Sequence, residues 1–401
     1  MEIPEIGIGM LGYAFMGKAH SNAYKKLPYI FYPPPGIPVL VGICGRTTGK
    51  VQKAQKKFGY KYSTVDWTDL IKDDEIKIFD NCSPTNMHAE PSIAALEAGK
   101  HVITEKPFAL TINQAREMFV AAENAEKHGT KHMVMFNYRF NPALLLAKKF
   151  IEEGKIGKIY HFRAVFLQDW LVNPNFPFSW HVDRNKAGSG VHADLNSHSI
   201  DMARFLVGDI KKVCGWNKTF IGKRPVTKND PGIINDKSSP NNQKTMREVT
   251  VDDTSFIWLE FKNGAMGSLE ANRIATGRKS MWTVEVYGSK GALSFELNRC
   301  NELLFYSLEE PLAVQGFRKI IVTEAKEHEF IKHWWPSGHM LGWEHHHCNA
   351  LFHFVDCIIN NKNVTPGATF LDGLRCQEVL EATLLSNKQG KWVDIEEVHS
   401  K

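Results

Sequence analysis

One pattern constrains the fold of this chain more than any other. Short apolar runs alternate with helical periodicity through the first 136 residues, and the first run ends in Gly12-Tyr13-Ala14-Phe15-Met16-Gly17. The runs are IGIGML (6–11), VLVGIC (39–44), IKIFDNCS (76–83), HVIT (101–104) and HMVMF (132–136). Between them, 17–27, 48–58, 88–98 and 111–128 carry apolar residues every three or four positions. Near-continuous apolar strands separated by amphipathic helices specify a parallel sheet covered on both faces. Its connections are expected to be right-handed crossovers. Pro28 to Pro38, PYIFYPPPGIP, is too proline-rich for helix or strand and reads as a surface excursion able to reach over an active-site cleft.

The pattern changes after residue 136. Asn141 to Glu153 reads as a helix capped by Asn141, with Pro142 at its first position. Residues 158–169 read as a strand and 190–206 as a helix. Successive antiparallel strands follow at 251–261, 264–273, 281–287 and 291–296, with turn signals at Asn263-Gly264 and Gly288-Ser289-Lys290-Gly291. Segment 222–250 is rich in Lys, Asn, Pro and Ser and reads as a mobile loop. Helices at 344–360 and 369–387 lead into a final run, KWVDI. The expected class is α/β. A doubly wound Rossmann domain (1–136) binds a dinucleotide, and an α+β domain with an open antiparallel sheet (137–401) binds substrate and carries oligomer contacts.

Composition narrows the partners. The 401 residues suffice for two domains, and the net charge of +5 is spread along the chain, which argues against nucleic acid. No apolar stretch reaches membrane-spanning length and no signal-peptide pattern opens the chain. Seven scattered cysteines without C-x-x-C spacing suggest reduced thiols in a cytoplasm.

The glycine turn needs its small residues. Gly12 permits the turn, Ala14 in place of a second glycine lets backbone approach a pyrophosphate, and Gly17 lets helix pack on strand. Backbone N–H groups of the turn, from Gly12 through Tyr13, Ala14, Phe15 and Met16 to Gly17, then face the phosphates. The alternative register, Gly7-x-Gly9-x-x-Gly12, would put the turn inside the strand. The second strand ends in Gly45-Arg46-Thr47, with no acid for a ribose 2′-hydroxyl. Arg46, beside Thr47, suits a 2′-phosphate, so the cofactor expected is NAD or NADP, leaning to NADP.

Two further motifs carry acid–base groups. Glu105-Lys106-Pro107 follows HVIT, at a strand end where such sheets place catalytic groups. On the helix opened by Gly188 and Gly190, Asp194, His198 and Asp201 are spaced i, i+4, i+7 and so share one face. A histidine beside a carboxylate suits proton transfer, whereas no third metal ligand or H-E-x-x-H pattern is present. No metal is expected. His345-His346-His347-Cys348 does not change that, because consecutive helical residues point about 100° apart; a substrate contact from one of them is the better reading. Trp170 and Trp180 offer faces for sugar C–H stacking. Tyr138, Arg163, Gln168 and Asp169 are further substrate candidates.

Together, Gly-x-Ala-x-x-Gly, Glu-Lys-Pro and Asp194-x-x-x-His198 resemble the glucose–fructose oxidoreductase / inositol dehydrogenase / rhizopine-catabolism (Gfo/Idh/MocA) family. The likeness extends over nearly the whole chain, including Ser83-Pro84-Thr85-Asn86-Met87-His88 and Asn137-Tyr138-Arg139. A closer likeness, to sugar dehydrogenases of the levoglucosan type, rests on AHSNAY, LQDW, AGSG and IDMARFLVG. The resemblance implies a reversible NAD(P)-dependent oxidation of a secondary hydroxyl in a sugar, anhydrosugar or cyclitol. It implies Lys106 and His198 as the acid–base pair, with Asp194 binding a substrate hydroxyl. It also implies Ser83, Pro84, Asn86, His88, Glu105 and Asn137 along the cofactor cleft, and a homodimer or homotetramer. Trp180-His181 replaces the Trp-Arg of many relatives, with Arg184 or Lys186 as substitutes. The competing functions are glycoside cleavage through transient oxidation by held NAD, and a non-catalytic dinucleotide sensor. The intact Lys106, Asp194 and His198 argue against the sensor.

Overall fold

A computed structural model describes residues 3–226 and 245–399. The chain forms two compact units, Met1–Phe140 with Glu324–Arg375, and Asn141–Thr323 with Cys376–Lys401. The first division falls four residues beyond the boundary expected at 136, and residues 324–375 return to the first unit.

The first unit runs β1 (Glu5–Leu11), α1 (Phe15–Ile30), β2 (Ile37–Cys44), α2 (Thr48–Phe58), β3 (Tyr62–Thr64), α3 (Thr68–Lys72), β4 (Ile76–Asn81), α4 (Ala89–Glu97), β5 (His101–Thr104), α5 (Ile112–Glu126) and β6 (His132–Val134). The strands form one parallel sheet in the order β3-β2-β1-β4-β5-β6. Central strands β1 and β4 are almost wholly buried, as their apolar runs require. Local signals set the helix ends: Gly59 closes α2 at φ 81°, and the Thr111 side chain caps α5 by accepting from Gln114 N–H.

The proline-rich excursion is shorter than the sequence suggests. Pro28 lies inside α1, where it removes one hydrogen bond from the last turn, and β2 takes in Pro38. Only 31–36 lie between them. Phe31 anchors that stretch, stacked on Phe352 at 3.8 Å, while Tyr32 and Pro33 are exposed.

The second unit begins with α6 (Pro142–Glu152), capped by Asn141 as expected, then β7 (Ile159–Leu167) and α7 (Arg184–Ala187). The helix expected over 190–206 is broken at Leu195 into α8 (Val191–Asp194) and α9 (Asn196–Leu206). Next come β8 (Ile210–Lys218), β9 (Lys223–Pro225), β10 (Met246–Glu248), β11 (Thr254–Phe261), β12 (Met266–Asn272), β13 (Met281–Gly288), β14 (Gly291–Glu296), β15 (Glu302–Ser307) and β16 (Arg318–Ile321). The chain then supplies α10 (Trp343–Ile359) to the first unit. It continues through α11 (Phe370–Gln389), which spans the division, to β17 (Val393–Asp394) and α12 (Glu396–His399).

Nine of these strands form a sheet in the order β16-β15-β14-β13-β7-β12-β11-β8-β17. It is mixed rather than purely antiparallel, because β7 enters between β12 and β13 and runs parallel to β12. At the ends of the expected mobile loop, β9 and β10 pair as a ribbon. Arg224 is buried there and donates to the carbonyls of Leu171 and Asn173. The loop expectation for 227–244 lies outside the described residues. α8 and α9 cover one face of the sheet, with Phe166 and Trp282 beneath α9. The opposite face presents Trp216, Phe256, Trp258 and Met266, all exposed. No helix among the described residues is long and apolar enough to cross a membrane, and none of the seven cysteines is paired.

Candidate active site

The carboxyl ends of β1, β4, β5 and β6 bring one set of groups together. Gly12 has φ +105°, and a Cβ there would stand 2.5 Å from the Cys82 carbonyl oxygen. A Cβ on Gly17 would stand 2.1 Å from the Gly12 carbonyl oxygen. Both glycines are therefore required by close backbone approach. Ala14 begins α1 without a side-chain cap, and the first turn holds no acid. The helix N-terminus thus keeps donors for an anion, which fits a dinucleotide pyrophosphate. Phe15 stacks on Trp343 of α10 at 5.1 Å, a neighbour of the turn that sequence reasoning missed.

At the end of β2, the Tyr13 ring lies where a Cβ on Gly45 would be, 2.1 Å away. An acidic side chain at 45 would require that ring to move aside. Arg46 is exposed beside it, and Thr47 starts α2 without a side-chain cap bond.

After β4, the Ser83 hydroxyl donates to Asn81 Oδ1 at 2.5 Å. The His88 ring bridges two loops, with Nδ1 2.9 Å from the Pro107 carbonyl and Nε2 3.0 Å from that of Ser83. Burial lowers the His88 pKa, so the ring is neutral near pH 7 and donates to one carbonyl at a time. Pro84 is half-buried and Asn86 exposed. Asn137, after β6, is buried, and its Nδ2 has no partner among the described residues. That free donor is a second feature fitting a polar cofactor.

Glu105 and Lys106 leave β5 together. The Glu105 N–H donates to the Asn81 carbonyl at 2.9 Å, and Glu105 Oε2 accepts the Lys106 N–H at 3.0 Å. Glu105 is buried against His20, a residue of α1 not anticipated from sequence. A signal existed only for Asp80, an acid directly after Ile78 and Phe79 in a strand run; α1 carries Lys18, Lys25 and Lys26 beside His20 and does not mark it.

In the second unit, Gly190 passes close to the backbone of Asp252, where a Cβ would stand 1.9 Å from its carbonyl oxygen. The Asp252 carboxylate accepts the N–H groups of Gly190 and His192, both at 2.8 Å. This clamp fixes the start of α8. Asp194 ends α8, half-buried, whereas His198 and Asp201 lie on α9, both buried. The break at Leu195 corrects the expectation of three groups on one continuous helix face. The His198 ring lies 6.1 Å from that of Phe166 and 6.4 Å from Trp282, whose Nε1 donates to Ser199 Oγ.

The remaining candidates have contacts of their own. On β7, Phe166 faces α9, and alternation turns Arg163 to the opposite face of the sheet. There Arg163 is exposed and pairs with Glu285, so it does not join His198. Asp169 accepts from Lys279 and the Gly277 N–H, while Gln168 donates its backbone N–H to the Asn272 carbonyl. Trp170 packs edge-on to Phe176 and His181 over a core of Leu171, Val182, Val249 and Val251. Trp180 stacks on His181 at 3.8 Å. Both tryptophans are half-buried. Arg184 Nε donates to the Thr250 carbonyl, and Lys186 is half-buried.

In the first unit, Tyr138 is buried edge-on to His346. The three consecutive histidines diverge, His345 toward Trp334, His346 toward Tyr138 and His347 toward Trp343 and His20. Burial lowers His346 to about 3 and His347 to about 4.

A six-stranded parallel sheet with this glycine turn after its first strand defines a dinucleotide-binding Rossmann domain. A family model described as "Oxidoreductase family, NAD-binding Rossmann fold" matches residues 6–135, and the "GFO/IDH/MocA C-terminal domain" matches 144–294. Levoglucosan dehydrogenase of Pseudarthrobacter phenanthrenivorans is 36% identical over 98% of this chain and 99% of its own. An oxidoreductase domain protein from Kribbella flavida superimposes with a TM-score of 0.91 at 41% identity, covering 98% of this chain and 100% of its own. Levoglucosan dehydrogenase in complex with NADH and L-sorbose does so with a TM-score of 0.90 at 36% identity, covering 98% and 99%. The chain belongs to the GFO/IDH/MocA family of oxidoreductases, and its first unit carries the family's NAD-binding Rossmann domain.

Proposed function

We propose that this oxidoreductase is an NAD(P)-dependent dehydrogenase that converts a secondary hydroxyl of a sugar, anhydrosugar or cyclitol to a ketone, reversibly. The observation that carries the reading is Lys106 at the carboxyl end of β5, held by Glu105 beside the strands that bear the glycine turn. The levoglucosan dehydrogenase relative supports the substrate class.

When bound, the nicotinamide would accept or supply hydride at the substrate carbon. The protein's part is positioning and proton transfer. In this reading Lys106 and His198 exchange the hydroxyl proton, and Asp194 holds a hydroxyl of the substrate. Gly12 to Gly17 supply the backbone donors and small residues for the pyrophosphate. Ser83, Pro84, Asn86, His88, Glu105 and Asn137 line the cofactor, and Arg46 with Thr47 meets its ribose end. Tyr138, Trp170 and Trp180 remain candidate substrate contacts. The first unit would bind the dinucleotide and the second the substrate.

The exposed aromatic face of the nine-stranded sheet supports a homodimer or homotetramer. Light scattering that gives a monomer at micromolar concentration would end that part of the reading.

The test of function is a panel of levoglucosan, L-sorbose and inositols with NAD and NADP, followed at 340 nm. Substrate-dependent absorbance change is expected. Cleavage of an aryl glycoside without net NADH formation would instead favour glycoside-cleaving chemistry.

A further inference from the structure

Behind Lys106 lies a buried chain of charges that the proposed reaction does not use. His20 is wholly buried, with Nδ1 2.9 and 3.0 Å from the two oxygens of Asp80 and Nε2 3.1 Å from Glu105 Oε1. A neutral imidazole carries one N–H, so donating to carboxylates from both nitrogens requires the imidazolium. The second oxygen of Glu105 accepts the Lys106 N–H. The chain of groups therefore runs from Asp80 through the His20 imidazolium to Glu105, which lies within electrostatic reach of the Lys106 ammonium.

The remaining groups around His20 add no charge near pH 7. Cys82 Sγ lies 3.3 Å from Nδ1, the Tyr24 hydroxyl donates to Asp80, and the Tyr60 hydroxyl meets Ser21. Burial pushes all three up. His347, with its ring 5.8 Å from that of His20, is lowered to about 4 by burial. Burial opposes the charge on His20, yet the Asp80 carboxylate holds its pKa well above the ordinary value.

We propose that Asp80 and His20 are positioning residues for Lys106, acting through Glu105. The Asp80–His20 pair fixes the Glu105 carboxylate, and that carboxylate sets both the backbone of Lys106 and the field at its ammonium group. The inference rests on Lys106 being the catalytic lysine.

The experiment is competitive labelling of the full-length protein with acetic anhydride between pH 6 and 9. Acetylation of Lys106 is read by peptide mass spectrometry against the exposed Lys127. Asp80→Asn keeps an acceptor for His20 Nδ1–H but removes the charge that holds the second proton. His20 then becomes neutral at alkaline pH, Glu105 faces Lys106 uncompensated, and the amine keeps its proton more tightly. Lys106 should label about threefold more slowly than in the wild type, corresponding to half a pKa unit. Glu105→Gln keeps an acceptor for the Lys106 N–H and removes the Glu105 charge, so labelling should be about threefold faster.

Opposite signs support the proposal. Both variants faster, as loosened packing would make them, or both unchanged, overturns it. If Asp80→Asn does not fold by circular dichroism, ring 15N shifts of wild-type His20 decide, assigned by loss of the signal in His20→Gln. A ring doubly protonated to pH 9 supports the network, and one titrating near 6.5 overturns it. Full turnover in Lys106→Ala would remove the catalytic assignment separately, leaving these rates to judge the network alone.

Discussion

The Asp252 clamp gives the sharpest mutational expectation. Its carboxylate is buried and accepts two backbone N–H groups at 2.8 Å, from Gly190 and His192. Asp252→Ala leaves both donors unsatisfied where Gly190 has no room to move, since its backbone already touches that of residue 252. Hydrogen bonds to a charged group contribute about 1.5–3 kcal/mol each, so the loss of two is about 3–6 kcal/mol. For a unit of this size, 1 kcal/mol moves Tm by about 2–4 °C, giving a drop of about 6–24 °C. The clamp orients α8 and the start of α9, so kcat should fall by more than tenfold, while NADH affinity, which belongs to the first unit in the proposed function, stays within about twofold. Calorimetry and NADH fluorescence titration check this. A Tm within 2 °C of wild type, or loss of NADH binding in step with kcat, would refute the reasoning.

Other perturbations follow from the same geometry. Burial lowers His101, His132 and His347 to about 4 and His346 to about 3, so the folded first unit resists protons that the unfolded chain accepts. Stability is therefore complete above pH 6.5 and lost as pH falls toward 4, by roughly 3 kcal/mol for each fully buried ring. A melting temperature that stays flat from pH 7 to 4.5 would contradict this. His20 runs the other way, its contribution complete below 6.5 and lost only as pH rises through its elevated value. Gly17→Ala places a methyl 2.1 Å from a backbone oxygen and should cost about 1–3 kcal/mol or more, with at least tenfold weaker NADH binding by fluorescence. Arg46→Ala should lower kcat/KM for NADP at least tenfold more than for NAD; equal losses would remove the phosphate-binding role of Arg46.

The sequence was most legible where one element carries its own signal. The apolar runs, the glycine turn and the Asn141 cap needed no distant partner to be read. β3 escaped because three residues, Tyr62 to Thr64, hold no apolar run. The parallel pairing of β7 with β12 escaped because about 100 residues separate the two strands, and periodicity specifies faces, not neighbours. The return of 324–375 to the first unit, which brings Trp343 onto Phe15, is a long-range contact of the same kind. The break at Leu195 has no counterpart in the helical pattern. Arg163 was recoverable, since Phe162, Ala164 and Phe166 already mark the buried face of β7. Asp80 was visible as an acid in an apolar strand run, whereas His20 lies on a helix with three lysines, and only folding shows that His20 joins Asp80 to Glu105.

The assignment of Lys106 and His198 as proton-transfer groups is tested most directly by Lys106→Ala and His198→Ala, each assayed for both NADH binding and 340 nm turnover. Both are expected to bind NADH within about threefold of wild type and to lose at least about a thousandfold in kcat, in line with removal of a positioned acid–base group together with its contacts. Wild-type turnover in either variant, with NADH binding intact, would contradict it.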